Sequence, residues 1–160
     1  MRFVLHVAAV AMLTGLSPAP SPAQDTTVVY PVKFVCGAKA PKTWDAVFPG
    51  RYFTAINIHN ASSDSISIRT QIASTQAAPI QGTVFNGPSI NLGRTRALEI
   101  DCEEILKSAH TDGFLKGFLI IPTRRPLDVV AVYTTGTEAG PSSIDVVTVA
   151  PRRASKVEIP

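Results

Sequence analysis

The sequence predicts an all-β protein, built as an antiparallel β-sandwich of about seven to eight strands with one short helix. Short runs of residues alternate between apolar and polar side chains, which is the period of a half-buried strand. Clusters of turn-forming residues separate these runs at short intervals. One segment combines a helix cap with helical spacing of its apolar residues, and it supplies the single predicted helix.

Residues 1–23 have the order of a secretory signal peptide. Arg2 precedes an apolar run over residues 3–13, and the segment ends in Ser21-Pro22-Ala23. The run is shorter than the roughly 20 apolar residues that cross a bilayer. We expect cleavage after Ala23, which leaves residues 24–160 as one domain, periplasmic or extracellular, without a membrane span.

The first strand is predicted over residues 27–36, "TVVYPVKFVC". Pro31 has no amide hydrogen, so this strand should lie at an edge or be broken there. The stretch that follows, "KAPKTWDAVFPGRYF", combines aromatic residues, prolines and lysines and is predicted to be a loop. Its aromatic side chains are nominated as a contact surface: Trp44, Tyr52 and Phe53. A loop that covers one end of the core explains the same stretch almost as well.

Two further strands are predicted on either side of the turn residues "NASSD". In residues 53–60, Ile56 and Ile58 point inward and His59 points outward; in residues 65–72 the isoleucines share one face. The turn between them predicts a hairpin. An outward position favours a solvent-facing role for His59 over a catalytic one.

The remaining strands follow the same reasoning and are predicted over residues 89–93, 95–102, 114–121, 127–135 and 143–150. Near-continuous apolar runs in residues 114–121 and 127–135 indicate central strands, joined by a five-residue link that suits a hairpin. The helix is predicted over residues 102–110. Asp101 and Glu104 form a capping box at its start, and Gly113 is suited to its end.

Both cysteines fall in phase with the apolar positions of their strands. An exported chain meets an oxidising environment, so we predict a buried disulfide between Cys36 and Cys102. A metal site drawn from these cysteines, His59 and His110 is the first alternative, but it lacks the short paired spacing of zinc ligands. A reactive thiol at Cys102, near the start of the helix, is the second.

No pattern of catalytic residues is present in the sequence. There is no Gly-x-Ser-x-Gly elbow and no glycine-rich phosphate loop. Glu103 and Glu104 are explained by the positive end of the helix dipole. The net charge of +3 is spread over basic pairs that lie far apart, which disfavours a nucleic-acid partner. We therefore predict a protein that is not an enzyme and uses neither a metal nor another cofactor.

Five blocks carry a resemblance: "YPVKFVCG", "PGRYFTAINIHN", "ALEIDCEEI", "FLKGFLIIP" and "LDVVAVYT". Across residues 30–135 the chain resembles a family of small prokaryotic β-proteins with no assigned chemistry to transfer. The layout is also similar to the β-sandwich transducer proteins of sensory rhodopsins, which implies an oligomeric binding partner and not an enzyme. The predicted export signal argues against a shared cytoplasmic role.

These observations favour an exported, non-enzymatic module of the cell envelope that acts in protein binding, assembly or adhesion. The alternative is a small-ligand or carbohydrate-binding protein that uses the loop ends of the sandwich. Self-association or strand addition is expected at an edge formed late in the chain, near "SIDVVTVA". Proline at Val147 should weaken that association by removing a hydrogen-bond donor.

Overall fold

The computed structural model describes residues 27–40, 47–137 and 140–154. The predicted signal peptide and Trp44 lie outside the described residues. The strands are β1 (Val28–Lys39), β2 (Gly50–His59), β3 (Ile66–Ser74), β4 (Val84–Leu92), β5 (Ala97–Ile100), β6 (Leu115–Thr123), β7 (Asp128–Thr137), β8 (Gly140–Thr148) and β9 (Arg152–Arg153); the helix is α1 (Cys102–Ser108). The predicted all-β fold with one short helix is confirmed within these ranges. The seven-residue helix is far too short to cross a membrane.

The strands form one continuous antiparallel path in the order β4-β3-β6-β1-β2-β7-β8, with β5 beside β2 and β9 beside β1. Strand β1 joins the two halves of this path, of which the first contains β4, β3 and β6 and the second contains β2, β7 and β8. Its residues up to Cys36 pair with β6, and its last three residues pair with β2. Gly37 lies at the change, with φ of +95°, and a Cβ there would lie 2.8 Å from the carbonyl oxygen of Gly113. Glycine is required where β1 leaves one half for the other.

Both halves contribute to a single hydrophobic core. Its fully buried members of the first half include Val32, Phe34, Ile72 and Leu119, and those of the second half include Ile56, Ile58, Val129 and Ala131. The period-two pattern of β3 is confirmed, because every second residue from Ile66 to Ile72 is buried. Because the strands direct one face toward this shared core, the alternation of apolar residues in the sequence was enough to identify that face.

Neither predicted hairpin forms. β6 pairs with β1 and β3, and β7 pairs with β2 and β8, so the link over residues 122–126 crosses between the two halves. The connection after β2 is not a hairpin either. β2 pairs with β1, β5 and β7, whereas β3 pairs with β4 and β6, so the connection crosses between the two halves. Asn60 organises the crossing from a fully buried position. Its Nδ2 donates to the carbonyl oxygens of Asp64 at 2.7 Å and Gly93 at 3.0 Å, and its Oδ1 accepts from the amide of Ser62 at 3.1 Å. The buried side-chain amide of Asn60 therefore pairs backbone groups of this connection, which in a hairpin would be paired with one another.

Pro31 lies in the part of β1 that, among the strands the structure describes, has a neighbour on one side only. It pairs with Ile120 of β6, while the other edge of β1 is paired only at its ends, by β9 and β2. The expectation of an edge position is confirmed for this stretch, and the strand is not broken there. Proline is tolerated because its missing amide hydrogen faces the side without a neighbouring strand.

Helix α1 begins with the predicted capping box. Asp101 Oδ1 accepts from the amide of Glu103 at 2.7 Å, and Glu104 Oε2 accepts from the amide of Asp101 at 3.1 Å. The helix ends earlier than Gly113, because His110 adopts a positive φ of 53°. The amides of His110 and Thr111 donate to carbonyl oxygens of the last turn, both at 3.1 Å. This is a Schellman motif with histidine in the position that glycine usually takes.

Candidate functional site

Strand β8 ends the strand path, and within the described residues one of its edges has no partner strand. Among the described strands it pairs with β7 alone. All but the first of its residues are exposed. Three of them are large and aliphatic: Ile144 is 68% exposed, Val146 62% and Val147 40%. An exposed apolar strand at a sheet edge is a feature that most monomeric proteins avoid.

The free edge of β8 presents a defined set of backbone groups. The amide of Val149 donates to the carbonyl oxygen of Val129 at 2.9 Å, which places the odd-numbered residues of β8 in the hydrogen-bonded pairs with β7. The amides and carbonyls of Ile144, Val146 and Thr148 therefore point away from β7. The amide and carbonyl of Val147, which lies opposite Ala131, point toward β7. Proline at Val147 would break the β7 ladder, so the expectation that it tests the free edge was wrong.

The side chains beside this edge are apolar on the face directed away from the core. Phe53, Thr134 and Ile144 lie in one row across β2, β7 and β8, and Ala55, Val132 and Val146 lie in the next row. Phe53 is 44% exposed. We call the four larger apolar residues of these rows the β8 surface: Phe53, Val132, Ile144 and Val146.

The predicted contact residues Tyr52 and Phe53 lie in β2 and not in a loop. Because neighbours along a strand face opposite sides, the two side chains separate. Phe53 belongs to the β8 surface. Tyr52 is half-buried, packs edge-on against Phe114 at 6.0 Å between ring centroids, and donates to the carbonyl oxygen of Phe48 at 2.5 Å. Tyr52 therefore packs beside α1, and its role as a contact residue stays a prediction.

The other terminal strand, β4, lacks these properties. It contains Gly87 and Pro88, and its register with β3 shifts between Arg69 and Gln71. The hydroxyl of Thr70 donates to the carbonyl oxygen of Pro88 at 2.7 Å, which holds the irregular segment in place. Proline and a bulge are common means of blocking an edge. In β8 a proline and a register shift occur only at the beginning of the strand, at Pro141 opposite Gly136, and residues 143–148 contain neither proline nor lysine.

The predicted disulfide is confirmed. Cys36 and Cys102 are bonded, with 5.4 Å between their Cα atoms, and both residues are buried. The amide of Thr54 donates to the sulfur of Cys102 at 3.1 Å. With both sulfurs in the bond, neither the metal site nor the reactive thiol considered above can use them. Within the described ranges, no group of three or more His, Cys, Asp or Glu side chains could hold a metal ion.

His59 lies at the end of β2 and points outward, as predicted. Its Nδ1 is 2.9 Å from Asp128 Oδ2, and both side chains are substantially exposed. An exposed contact of this kind contributes little to stability because water competes for both side chains. The neighbourhood of His59 is that of a surface residue.

Two of the cavities formed by the described residues lie beside the core. The first has a volume of about 620 Å³, lies beside β3 and the end of β6, and is lined by Arg69, Arg124 and Arg125 together with Ser65 and Ser67. Arg125 Nη1 lies 2.5 Å from Asp64 Oδ2. The second, about 830 Å³, lies beside Tyr52 and α1. The first could hold an anion, since it is lined by guanidinium groups and hydroxyls.

The groups with shifted pKa values line neither cavity. Burial, followed by the charge of Lys116, lowers the pKa of Lys33. A hydrogen bond with Glu104 lowers the pKa of Asp101, which caps the helix. Burial, followed by the Asp145 carboxylate, raises the pKa of Tyr133. Each shift has a structural cause, and none of these groups is placed for acid–base chemistry in a cavity.

Comparisons with known proteins support the fold alone. No protein-family model matches the chain, and no curated protein matches it. A crystal structure described as Thermotoga maritima 1070 is similar, with a TM-score of 0.50 and 7% sequence identity, over 78% of this chain and 92% of that one. The fold and surface define a small all-β protein with an internal disulfide and an open edge strand. The resemblance to a family of small prokaryotic β-proteins stays a prediction.

Proposed function

We propose that the protein is an exported, non-enzymatic binding module of the cell envelope, and that it adds a β-strand of a protein partner to the free edge of β8. The observation that carries the proposal is the edge itself. Ile144, Val146 and Thr148 direct their backbone groups away from β7, on a strand that is exposed along nearly its whole length. The disulfide supports export, because such bonds persist mainly in oxidising compartments.

Strand addition uses both features of this edge. The row of backbone donors and acceptors supplies affinity that does not depend on the partner's sequence. The β8 surface supplies selectivity, because the alternate side chains of an added strand would lie beside Ile144 and Val146. The blocked edge at β4 directs an incoming strand to β8.

The experiment compares two valines with the same exposure on opposite edges. Val146 in β8 and Val84 in β4 are both 62% exposed. We expect Val146→Lys to abolish capture of the partner from a native envelope extract, while Val84→Lys retains it, because lysine blocks an edge strand. In the captured complex, hydrogen exchange should slow at the amides of Ile144, Val146 and Thr148. Equal capture by both variants, or capture without that protection, would contradict the proposal.

The alternative, a small-ligand-binding protein, is favoured by one observation. The cavity lined by Arg69, Arg124 and Arg125 fits the chemistry of an anionic ligand. Inorganic phosphate should then shift the amide resonances of Ser65 and Ser67, and Arg69→Ala should remove these shifts while Arg51→Ala retains them. If phosphate causes no shifts in the unmodified protein, this alternative fails.

A further inference from the structure

We infer that the strand added to β8 is β8 of a second copy, which runs antiparallel to the first about a twofold axis at Val146. The inference rests on the proposed function and names its partner. It follows from which backbone groups are free, from where the charges lie on β8, and from the contrast between the two terminal strands.

The free backbone groups restrict the possible registers. Within residues 143–148, where the register with β7 is continuous, the backbone groups that point away from β7 are those of Ile144, Val146 and Thr148, so hydrogen-bonded pairs between two copies in this stretch join members of this set. An axis at Val146 pairs Val146 with its own equivalent, and it pairs Ile144 with Thr148 of the second copy in both directions. All three residues then exchange hydrogen bonds with a partner.

Neighbouring registers are less favourable. An axis at Asp145 places the two Asp145 carboxylates directly opposite each other, and like charges in that position are destabilising. An axis at Val147 leaves Ile144 opposite residue 150, which lies beyond the end of β8. With the axis at Val146, Asp145 faces Val147 of the second copy, so no two charges of the same sign meet.

The side chains agree with this register. Ile144 and Val146 lie on the same face as Phe53, so the β8 surface of one copy continues directly into that of the other. Val146 lies beside its equivalent at the axis, and Ile144 lies beside Thr148 of the second copy. Ile144 and Val146, the two exposed aliphatic side chains on this face of β8, therefore each gain a neighbouring side chain from the second copy.

A second copy also explains why association would stop at two chains. The interface uses the same strand in both partners, which is the condition for a closed twofold dimer. Head-to-tail growth would need β8 of one chain to pair with β4 of the next. Gly87, Pro88 and the shifted register interrupt β4, so that open-ended contact is disfavoured.

Cysteine substitutions test the register directly. Opposed residues of a hydrogen-bonded antiparallel pair have Cα atoms about 5.5 Å apart, within the roughly 4.4–6.8 Å that a disulfide spans. Val146→Cys should therefore form a covalent dimer under mild oxidation. Thr148→Cys alone should not, but a mixture of Thr148→Cys and Ile144→Cys chains should cross-link. Cross-linking by Thr148→Cys alone would overturn the register.

Sedimentation of the full chain tests the association. We expect a concentration-dependent monomer–dimer equilibrium in the unmodified protein. Val146→Lys should raise its dissociation constant about tenfold or more, because two lysines then meet at the axis, while Val84→Lys leaves it unchanged. A monomer at all concentrations, with no Val146→Cys cross-link, overturns the inference. If Val146→Lys nevertheless loses envelope capture, the proposed function stands with a different partner.

Discussion

Thr54 holds Val35 by two hydrogen bonds of equal length. Its hydroxyl accepts from the amide of Val35 at 3.1 Å and donates to the carbonyl oxygen of Val35 at 3.1 Å. Val35 lies in the stretch of β1 beside which none of the described strands pairs on that side. The fully buried side chain of Thr54 therefore satisfies the backbone groups that a neighbouring strand would otherwise pair.

Replacing this hydroxyl should destabilise the protein. Thr54→Val keeps the shape of the side chain but leaves two backbone groups of Val35 without partners, so the free energy of unfolding should fall by about 1–3 kcal/mol. Thr54→Ser keeps the hydroxyl and should lose less. Urea unfolding measures both variants, and a larger loss in Thr54→Ser than in Thr54→Val would contradict the role assigned to the hydroxyl.

The disulfide should account for a substantial part of the stability. Cys36 and Cys102 are separated by 66 positions in the sequence. Closing a loop of this length contributes at most ~4 kcal/mol in the chain-entropy model. We expect the Cys36→Ala/Cys102→Ala double variant to unfold at lower urea concentration by up to that amount. Two thiols open to alkylation in the protein from its native compartment would show that the bond does not form there.

Asn60 should be free of glycan and important for folding. It begins the sequence Asn60-Ala61-Ser62, which matches a glycosylation acceptor site, but both hydrogens of its Nδ2 are used inside the fold. Protein secreted in folded form from a glycosylating host should show an intact mass without glycan. Asn60→Ala should cost about 2 kcal/mol or more, because it leaves buried carbonyl groups unpaired. Ser62→Ala, which keeps the Asn60 side chain, should cost less.

Tyr133 should make stability sensitive to alkaline pH. Its hydroxyl donates to the carbonyl oxygen of Lys33 at 2.9 Å, and burial together with Asp145 raises its pKa. The protonated phenol is favoured in the folded state, so its contribution is fully present below the ordinary tyrosine pKa of about 10. It is lost as pH rises through the higher pKa of the folded state. Urea midpoints measured across this range should fall more steeply in the unmodified protein than in Tyr133→Phe; equal slopes would exclude this role.

His110 should be replaceable by glycine with a gain in stability. A side chain at positive φ costs about 1 kcal/mol or more relative to glycine. His110→Gly should therefore raise the free energy of unfolding by about 0.5–1 kcal/mol, an estimate lowered by the greater flexibility of glycine in the unfolded chain. His110→Ala keeps the strain and should give no gain. Thermal unfolding distinguishes the two variants. Stabilisation by His110→Ala would contradict the backbone strain assigned to residue 110.

Local patterns in the sequence determined the faces of the strands, the start of the helix and the pairing of the cysteines. Each of these three features depends on residues a few positions apart or, for the cysteines, on there being a single possible pair. The isoleucines of β3 alternate, Asp101 and Glu104 have capping spacing, and two inward cysteines in a chain predicted to be exported favour a bond. The position of Pro31 also indicated a strand without a partner on one side.

Only the tertiary structure decided which strands are neighbours and which edge stays open. The turn after β2 has the composition of a hairpin but crosses between the two halves, because Asn60 supplies buried hydrogen bonds that no turn pattern reveals. Tyr30 donates to the carbonyl oxygen of Leu127 and accepts from its amide, both at 2.9 Å, across 97 positions of sequence. Alternation reports which face of a strand is apolar, but it does not report the strand beside it. The open edge of β8 follows from those distant pairings.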